Sequence, residues 1–345
     1  MFSNQNLKRI IVSRPDAIGD VVLTLPMCGL IKKYYPDSEI IFLGKEYTRA
    51  VVNCCEHVDQ FLSFDELMKL TNEEASAFIK KMNADAIIHT FPHKKIAQLA
   101  KQAKIKLRVG TTNRLFHWTN INKFIFLSRK KSPLHESQLN CKLLEGIGIK
   151  DLPSMEQMHL YTGFTKINSP DLNLLSLIDK NKFTVILHPK SNGSGREWLL
   201  DNYKELINSL PSDTYQVFIS GSGSNEIKIL NEWIKTLPST VVNITGKFSL
   251  PEFISFIKHA DFLVASGTGP LHIAAACDIG AIGIFPPLKP IHPGRWKPIG
   301  KNAVALCKEI SCNSCQSNPS SCPCMNEISG KQVASLIVSK EILSN

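Results

Sequence analysis

The sequence predicts an α/β protein built from two Rossmann-like, doubly wound domains that face each other across a cleft. Three observations predict it. Strand-like and helix-like segments alternate along the chain. The alternation restarts after a break near the middle. Loops of small residues follow the strand-like runs. The 345 residues suit two cores, because domains typically hold roughly 100–150 residues each. Hydrophobic residues make up 43% and charged residues 20%, the balance of a globular chain rather than a disordered one.

Arg9 to Ser13 (RIIVS) is a β-branched apolar run, read as a buried strand. A Gly19-Asp20 turn follows, then helical apolar spacing from Val21 to Tyr35, then a second strand at Glu39 to Leu43. This strand–helix–strand unit is the signature of a parallel sheet. Asp85 to His89 and Lys123 to Leu127 continue the strands, and Lys94 to Lys106 reads as a basic helix. Leu160 to Leu177 has few periodic signals and contains Gly163 and Ser169-Pro170, so the linker is placed there. The second series has strands at Phe183 to Leu187, Gln216 to Ser220, Val241 to Ile244, Phe262 to Ala265 and Ala281 to Phe285, with a helix at Asp201 to Leu210.

The formal net charge is +10, and its distribution is uneven. Thirteen Lys or Arg lie between Lys80 and Lys131, against the single acid Asp85. Such a block favours a polyanion, whether nucleic acid, anionic lipid head groups or a phosphorylated glycolipid. Met1 to Arg9 has no apolar leader-like core, and no apolar run approaches the roughly 18 residues that span a bilayer. The expected location is the cytoplasm.

Four motifs carry chemistry. Arg14-Pro15-Asp16-Ala17-Ile18-Gly19-Asp20 leads from a strand into a helix. Asp20 there is either a helix cap, stabilising by about 1 kcal/mol, or a carboxylate that takes a proton from an attacking hydroxyl. Ser266-Gly267-Thr268-Gly269-Pro270-Leu271-His272 follows a strand and opens a helix at a proline. Backbone N–H groups at such a start, with the helix dipole, form an anion site. His188-Pro189-Lys190-Ser191-Asn192-Gly193-Ser194-Gly195-Arg196 is a small-residue loop whose Lys190 and Arg196 could wrap a diphosphate, or simply a surface loop. Weaker loops at Gly221–Glu226 and Gly246–Leu250 also follow strands. Finally, Cys312, Cys315, Cys322 and Cys324 form two close pairs that could hold a structural zinc, although the second pair is tighter than usual. The other six cysteines read as buried thiols. No Asp-x-Asp occurs, so a diphosphate would be neutralised by Lys190, Arg196 and the helix start at Gly269 rather than through a metal.

Together these residues resemble glycosyltransferase family 9, the ADP-heptose:lipopolysaccharide heptosyltransferases. The resemblance runs from about Lys8 to about Ile328. It rests on the Gly19-Asp20 turn, His188-Pro189 with Arg196 and Trp198, Gly246-Lys247, Thr268-Gly269-Pro270-Leu271-His272, and Arg295-Trp296-x-Pro298-x-Gly300. It implies a GT-B fold with an acceptor domain over 1–165, a donor domain over 166–325, and a helix over 326–345 that crosses back to the first domain. It implies Asp20 as catalytic base. Lys190, Ser191, Arg196, Phe248, Thr268, Gly269, Pro270 and His272 become donor residues, with Phe248 flanking the adenine. Gly19, Lys94, Lys95 and Arg114 are the acceptor-side candidates. No cofactor is implied, only a nucleotide-sugar co-substrate, expected as ADP-heptose. The expected partners are that donor, a phosphorylated glycolipid acceptor and the anionic inner face of the inner membrane; no nucleic acid is expected. Two departures from the family bear on the sugar and the acceptor. Gly267 stands where many heptosyltransferases have an Asp, and His89-Thr90 replaces a more usual acidic/Gln pair. Transfer of another sugar, in O-antigen or capsule synthesis, is the alternative within enzymes. A basic nucleic-acid-binding protein with a four-cysteine zinc site is the alternative of another class, and a GT-B protein that binds nucleotide without turnover is a third.

Overall fold

The computed structural model describes residues 7–129, 131–169, 171–191, 193, 195–308 and 322–344. The chain divides between Lys166 and Ile167 into two compact units. Each unit is built on one six-stranded sheet in which every pairing is parallel.

In the first unit the strands are β1 (Arg9–Ser13), β2 (Glu39–Gly44), β3 (Gln60–Ser63), β4 (Ala86–His89), β5 (Leu107–Thr111) and β6 (Lys123–Ile125). Their order is β3-β2-β1-β4-β5-β6. In the second unit they are β7 (Phe183–His188), β8 (Tyr215–Ile219), β9 (Val242–Asn243), β10 (Phe262–Ser266), β11 (Gly280–Ile284) and β12 (Ala303–Leu306). Their order, β12-β11-β10-β7-β8-β9, repeats the first when counted within the unit. Central strands of a parallel sheet are covered on both faces, so they read as continuous apolar runs. Ile10, Ile11 and Val12 are fully buried in β1, as are Val185, Ile186 and Leu187 in β7. β1 and β4 end level, with Ser13 opposite His89. β7 and β10 end within one residue of each other, with His188 opposite Ala265. The loops after each pair therefore leave the sheet side by side, at the crevice where doubly wound sheets bind ligands.

Nine strand-like runs in the sequence are strands here. β3, β5 and β12 are additional. Gln60-Phe61-Leu62-Ser63 is short, Leu107–Thr111 is interrupted by Arg108 and Gly110, and Ala303–Leu306 carries two alanines, so none shows a strong run. The helix expected from Val21 to Tyr35 is two helices, Ile18–Val22 and Leu25–Tyr34. Pro26 at the start of the second cannot donate into the ladder of the first. The basic helix ends at Gln102, two residues before Lys104 at φ 59°.

The last helix, Gly330–Ser344, packs within the second unit. Val333, Ala334 and Ile337 are buried in the core that also contains Val185, Trp198 and Tyr203. The Gly330 amide donates to Glu205 Oε2 at 2.6 Å. The backbones approach closely at Gly330, where an added Cβ would lie 2.3 Å from the Leu206 amide nitrogen.

Two buried histidines sit at these strand ends. Burial holds His89 at about 3 and His188 at about 4, well below the ordinary imidazole value of 6.5. Neither His89 nitrogen has a hydrogen-bond partner among the described residues. Folded-state values below the unfolded value mean that stability is full above pH 6.5 and falls as pH drops toward 4 and 3. From pH 7 to pH 5 each histidine is expected to cost about 2 kcal/mol. His89→Leu should shrink the acid loss, read by urea unfolding at the two pH values, by about 2 kcal/mol. An unchanged loss refutes this assignment.

Candidate active site

The chain after β1 turns at Arg14-Pro15-Asp16, where the Asp16 amide bonds the Arg14 carbonyl at 2.9 Å. Ala17, in extended backbone, is the N-cap of the Ile18–Val22 helix and gives it no side-chain cap. Gly19 therefore lies inside a helix and does not make the turn, which corrects the expected Gly19-Asp20 turn. Asp20 lies on the first helical turn, and its carboxylate accepts a hydrogen bond from Arg14 Nη2. This is an ion pair with a neighbouring loop, not a helix cap.

Arg14 is 3% exposed and Glu136 is 1% exposed. Charges that deep are retained only when paired and hydrogen-bonded. Here the pairing closes into a ring. Arg14 Nη1 donates to Glu136 Oε1 at 3.1 Å, and Arg129 Nη1 donates to the same oxygen. Arg129 Nη2 donates to Asn140 Oδ1 at 2.9 Å, and Asn140 Nδ2 donates to Thr24 Oγ1 at 3.0 Å. Thr24 Oγ1 donates to the carbonyl of Asp20 at 2.7 Å, and the Asp20 carboxylate closes the ring on Arg14. Burial raises the Asp20 carboxyl above the ordinary carboxylate range, against the opposing pull of Arg14; Asp16 and Glu136 push it further up. Asp20 keeps 18% side-chain exposure. A partly exposed carboxylate of raised basicity is suited to accept a proton.

The sequence reading missed the roles of Arg14, Glu136, Arg129 and Asn140. Arg14 stood inside the quoted motif, but Glu136 is 122 residues away from it. Of the acceptor-side candidates, Lys94 is exposed at the start of the helix that follows β4, and Arg114 is exposed at the N-cap of the helix that follows β5. Both lie at the same edge of the sheet as the Asp20 loop. Lys95 directs its amine to the Leu70 carbonyl at 3.3 Å.

In the second unit, Thr268 is the N-cap of the helix Gly269–Ala276, with Pro270 in its first turn. Thr268 is 4% exposed, yet its hydroxyl neither caps the helix nor bonds any other described residue. A buried hydroxyl without a partner costs about 1–3 kcal/mol. Its place beside free helix N–H groups fits an anion as the missing partner. His272 is buried on the first turn. The neighbouring loop after β7 is anchored by Glu197, which the sequence reading overlooked. Glu197 pairs with Lys190 and accepts from the Ser191 amide at 2.9 Å and the Ser191 hydroxyl at 3.1 Å. Arg196 follows on this loop, and Trp198 closes it by donating from its indole to the Ile328 carbonyl at 2.9 Å. Asn192 and Ser194 lie outside the described residues. Phe248, after β9, packs on Phe256 at 5.1 Å between ring centroids.

Gly267 has a structural reason to lack a side chain. A Cβ there would meet the Phe285 ring at 2.8 Å, so the buried phenyl fills the place a carboxylate stem would take. The zinc expectation falls partly outside the described residues, which exclude Cys312 and Cys315. Cys322 and Cys324 are buried in the second core with Met325 and Ile328. Among the described residues no three His, Cys, Asp or Glu come together as a metal site. Of the six scattered cysteines, Cys28, Cys54, Cys55, Cys141 and Cys277 are buried, while Cys307, directly after the edge strand β12, is partly exposed. No described helix is long and apolar enough to cross a membrane.

The sequence model of Glycosyltransferase family 9 (heptosyltransferase) matches residues 69–326. A Haemophilus influenzae protein named as a glycosyltransferase is 26% identical over 312 residues, covering 87% of this chain and 89% of that one. The lipopolysaccharide core heptosyltransferase OpsX of the same organism is 22% identical, over 94% of this chain and 92% of its own. The structure of the Escherichia coli ADP-heptose lipopolysaccharide heptosyltransferase II superposes with a TM-score of 0.75 at 16% identity, covering 96% and 99% of the two chains. That likeness assigns the GT-B fold.

Proposed function

The chain belongs to glycosyltransferase family 9, the heptosyltransferase family, and on that premise we propose that it moves a heptose from ADP-heptose onto a phosphorylated lipopolysaccharide core, with inversion and without a metal. One observation carries the reading: Asp20 turns its carboxylate to a buried arginine instead of capping its own helix, and stays partly exposed.

Asp20 removes the proton from an acceptor hydroxyl. That oxygen bonds to the anomeric carbon from the face opposite the diphosphate, and the bond from that carbon to the diphosphate oxygen breaks. The departing nucleoside diphosphate takes the electron pair. Thr268 Oγ1, the helix start at Gly269 and Pro270, Lys190 and Arg196 hold it, with Ser191 shaping the loop, His272 beside the helix start and Phe248 against the base. The acceptor would be held by Lys94, Lys95 and Arg114 beside Gly19, on the inner face of the membrane. The basic stretch from Lys80 to Lys131 is opposite in sign to a phosphorylated glycolipid and to the leaflet that carries it.

A second reading, transfer of a different nucleotide-linked sugar, is favoured by one observation. Gly267 is packed against Phe285 and offers the sugar no side chain. Thermal unfolding with ADP-heptose, ADP-, GDP-, UDP- and TDP-hexoses separates the two. ADP-heptose is expected to stabilise the chain, by about 2.7 kcal/mol at a hundredfold excess over its dissociation constant. A response to UDP-sugars alone overturns the ADP-heptose assignment.

A further inference from the structure

The first unit carries an apolar patch that its own fold leaves uncovered. Leu115 is 89% exposed, Trp118 58% and Phe126 82%. Leu115 and Trp118 are three apart on the helix Leu115–Asn120, and so share a face. Trp118 stacks on Phe124 with ring centroids 5.2 Å apart, and Phe126 lies two residues beyond Phe124. The Asn113 side chain donates to the Leu127 carbonyl, tying the start of this helix to the segment that carries Phe126. The patch is therefore one surface, not three scattered side chains. Contiguous exposed patches of this kind mark interaction sites.

The surroundings select the partner. Arg114 and Lys123 are exposed beside the patch, and Lys101 reaches it by donating to the Thr119 carbonyl at 2.8 Å. From residue 86 to residue 131 the chain contains no Asp or Glu. Aromatic and aliphatic side chains rimmed by a single positive sign complement a surface that is anionic outside and apolar within, which is a bilayer leaflet of acidic lipids. A nucleic acid would use the charge but has no place for the exposed Leu115. Leu115 lies four residues past the end of β5, and Phe126 directly follows β6. Both lie at the sheet edge from which the Asp20 loop departs.

We propose that Leu115, Trp118 and Phe126 insert into an anionic leaflet, with Arg114, Lys101 and Lys123 on its head groups, so that the sheet edge bearing Asp20 faces the membrane. This deepens the acceptor half of the proposed function and rests on it only for its purpose. Binding to lipid is measured without any transfer reaction.

The test uses the full chain with vesicles of phosphatidylglycerol and phosphatidylcholine, and with vesicles of phosphatidylcholine alone. Cosedimentation is expected with the first and not with the second, weakening as salt rises. Tryptophan emission should shift to the blue on binding, and Trp118→Phe should remove that shift. The double variant Leu115→Ser with Phe126→Ser leaves the Trp118–Phe124 stack in place. It is expected to keep the wild-type melting temperature and lose at least tenfold in partitioning. Asp20→Asn should bind vesicles like the wild type, so loss of transfer and loss of docking are read separately. Wild-type partitioning by the double variant overturns the proposal, as does equal binding to both vesicle types. Patch-dependent binding to a DNA duplex with no vesicle binding, or patch-dependent self-association without lipid, also overturns it.

Discussion

Asp20→Asn is expected to lower kcat by about a hundredfold to ten-thousandfold, the range for loss of a general base, with the melting temperature nearly unchanged. Asparagine keeps the oxygen that accepts from Arg14 and loses the carboxylate that would take the proton from a hydroxyl. Donor affinity should survive, because Thr268 and the Lys190 loop belong to the other unit. Steady-state kinetics with saturating donor, beside thermal unfolding, reads both quantities. Turnover within a few-fold of wild type in a folded Asp20→Asn protein would remove Asp20 from the chemistry. In the wild type the acid limb of the kcat/KM profile should lie above the ordinary carboxylate range, because burial raises this carboxyl.

The second large effect falls on stability. Glu136 lies between the guanidiniums of Arg14 and Arg129 at 1% exposure. Glu136→Ala leaves the buried Arg14 and the partly buried Arg129 without that shared anion, which should cost about 3–5 kcal/mol of unfolding free energy. Glu136→Gln should cost less, because the amide oxygen can still accept. It is also expected to move the acid limb of the pH–rate profile downward. With the Glu136 charge gone, the pull of Arg14 on Asp20 is no longer offset by a nearby anion, and the repulsion that raised Asp20 is reduced. Asp16 remains within reach of Arg14 and sets a floor to that change. Urea unfolding measures the first effect and the rate profile the second. A Glu136→Ala chain as stable as wild type would show that the buried ring is not holding the fold.

The sheets were legible in the sequence wherever a strand is central. β1, β7 and β10 are buried on both faces and read as unbroken apolar runs. β5 was not legible, because Arg108 reaches out to the Asn120 carbonyl at 2.7 Å and Gly110 makes room for His117 and Ile121. Those are tertiary requirements, without local period. The site shows the same limit. Thr268, Gly269 and Pro270 stand together in sequence, so their loop could be read directly. Glu136 and Asn140 join Asp20 only after the chain has wound through β6 and returned. Glu197 was hidden differently: seven residues from Lys190, it lay inside a loop read for its cations and not for the anion that anchors them.

The order of synthesis gives the indole of Trp198 a consequence. Its hydrogen-bond partner, the Ile328 carbonyl, and the core residues Val333 and Ile337 lie near the carboxyl end of the sequence. On the ribosome the first unit has all of its strands and its own ion-pair ring once about half the chain has emerged, and domains generally fold as units in that order. The Lys190–Trp198 loop cannot gain this last tie until translation is almost finished. A nascent or carboxyl-truncated chain would then carry a finished Asp20 region and a Lys190–Trp198 loop that lacks its carboxyl-end tie. Premature stop codons just before Ile328 should therefore yield protein whose second half is open to protease while its first half resists.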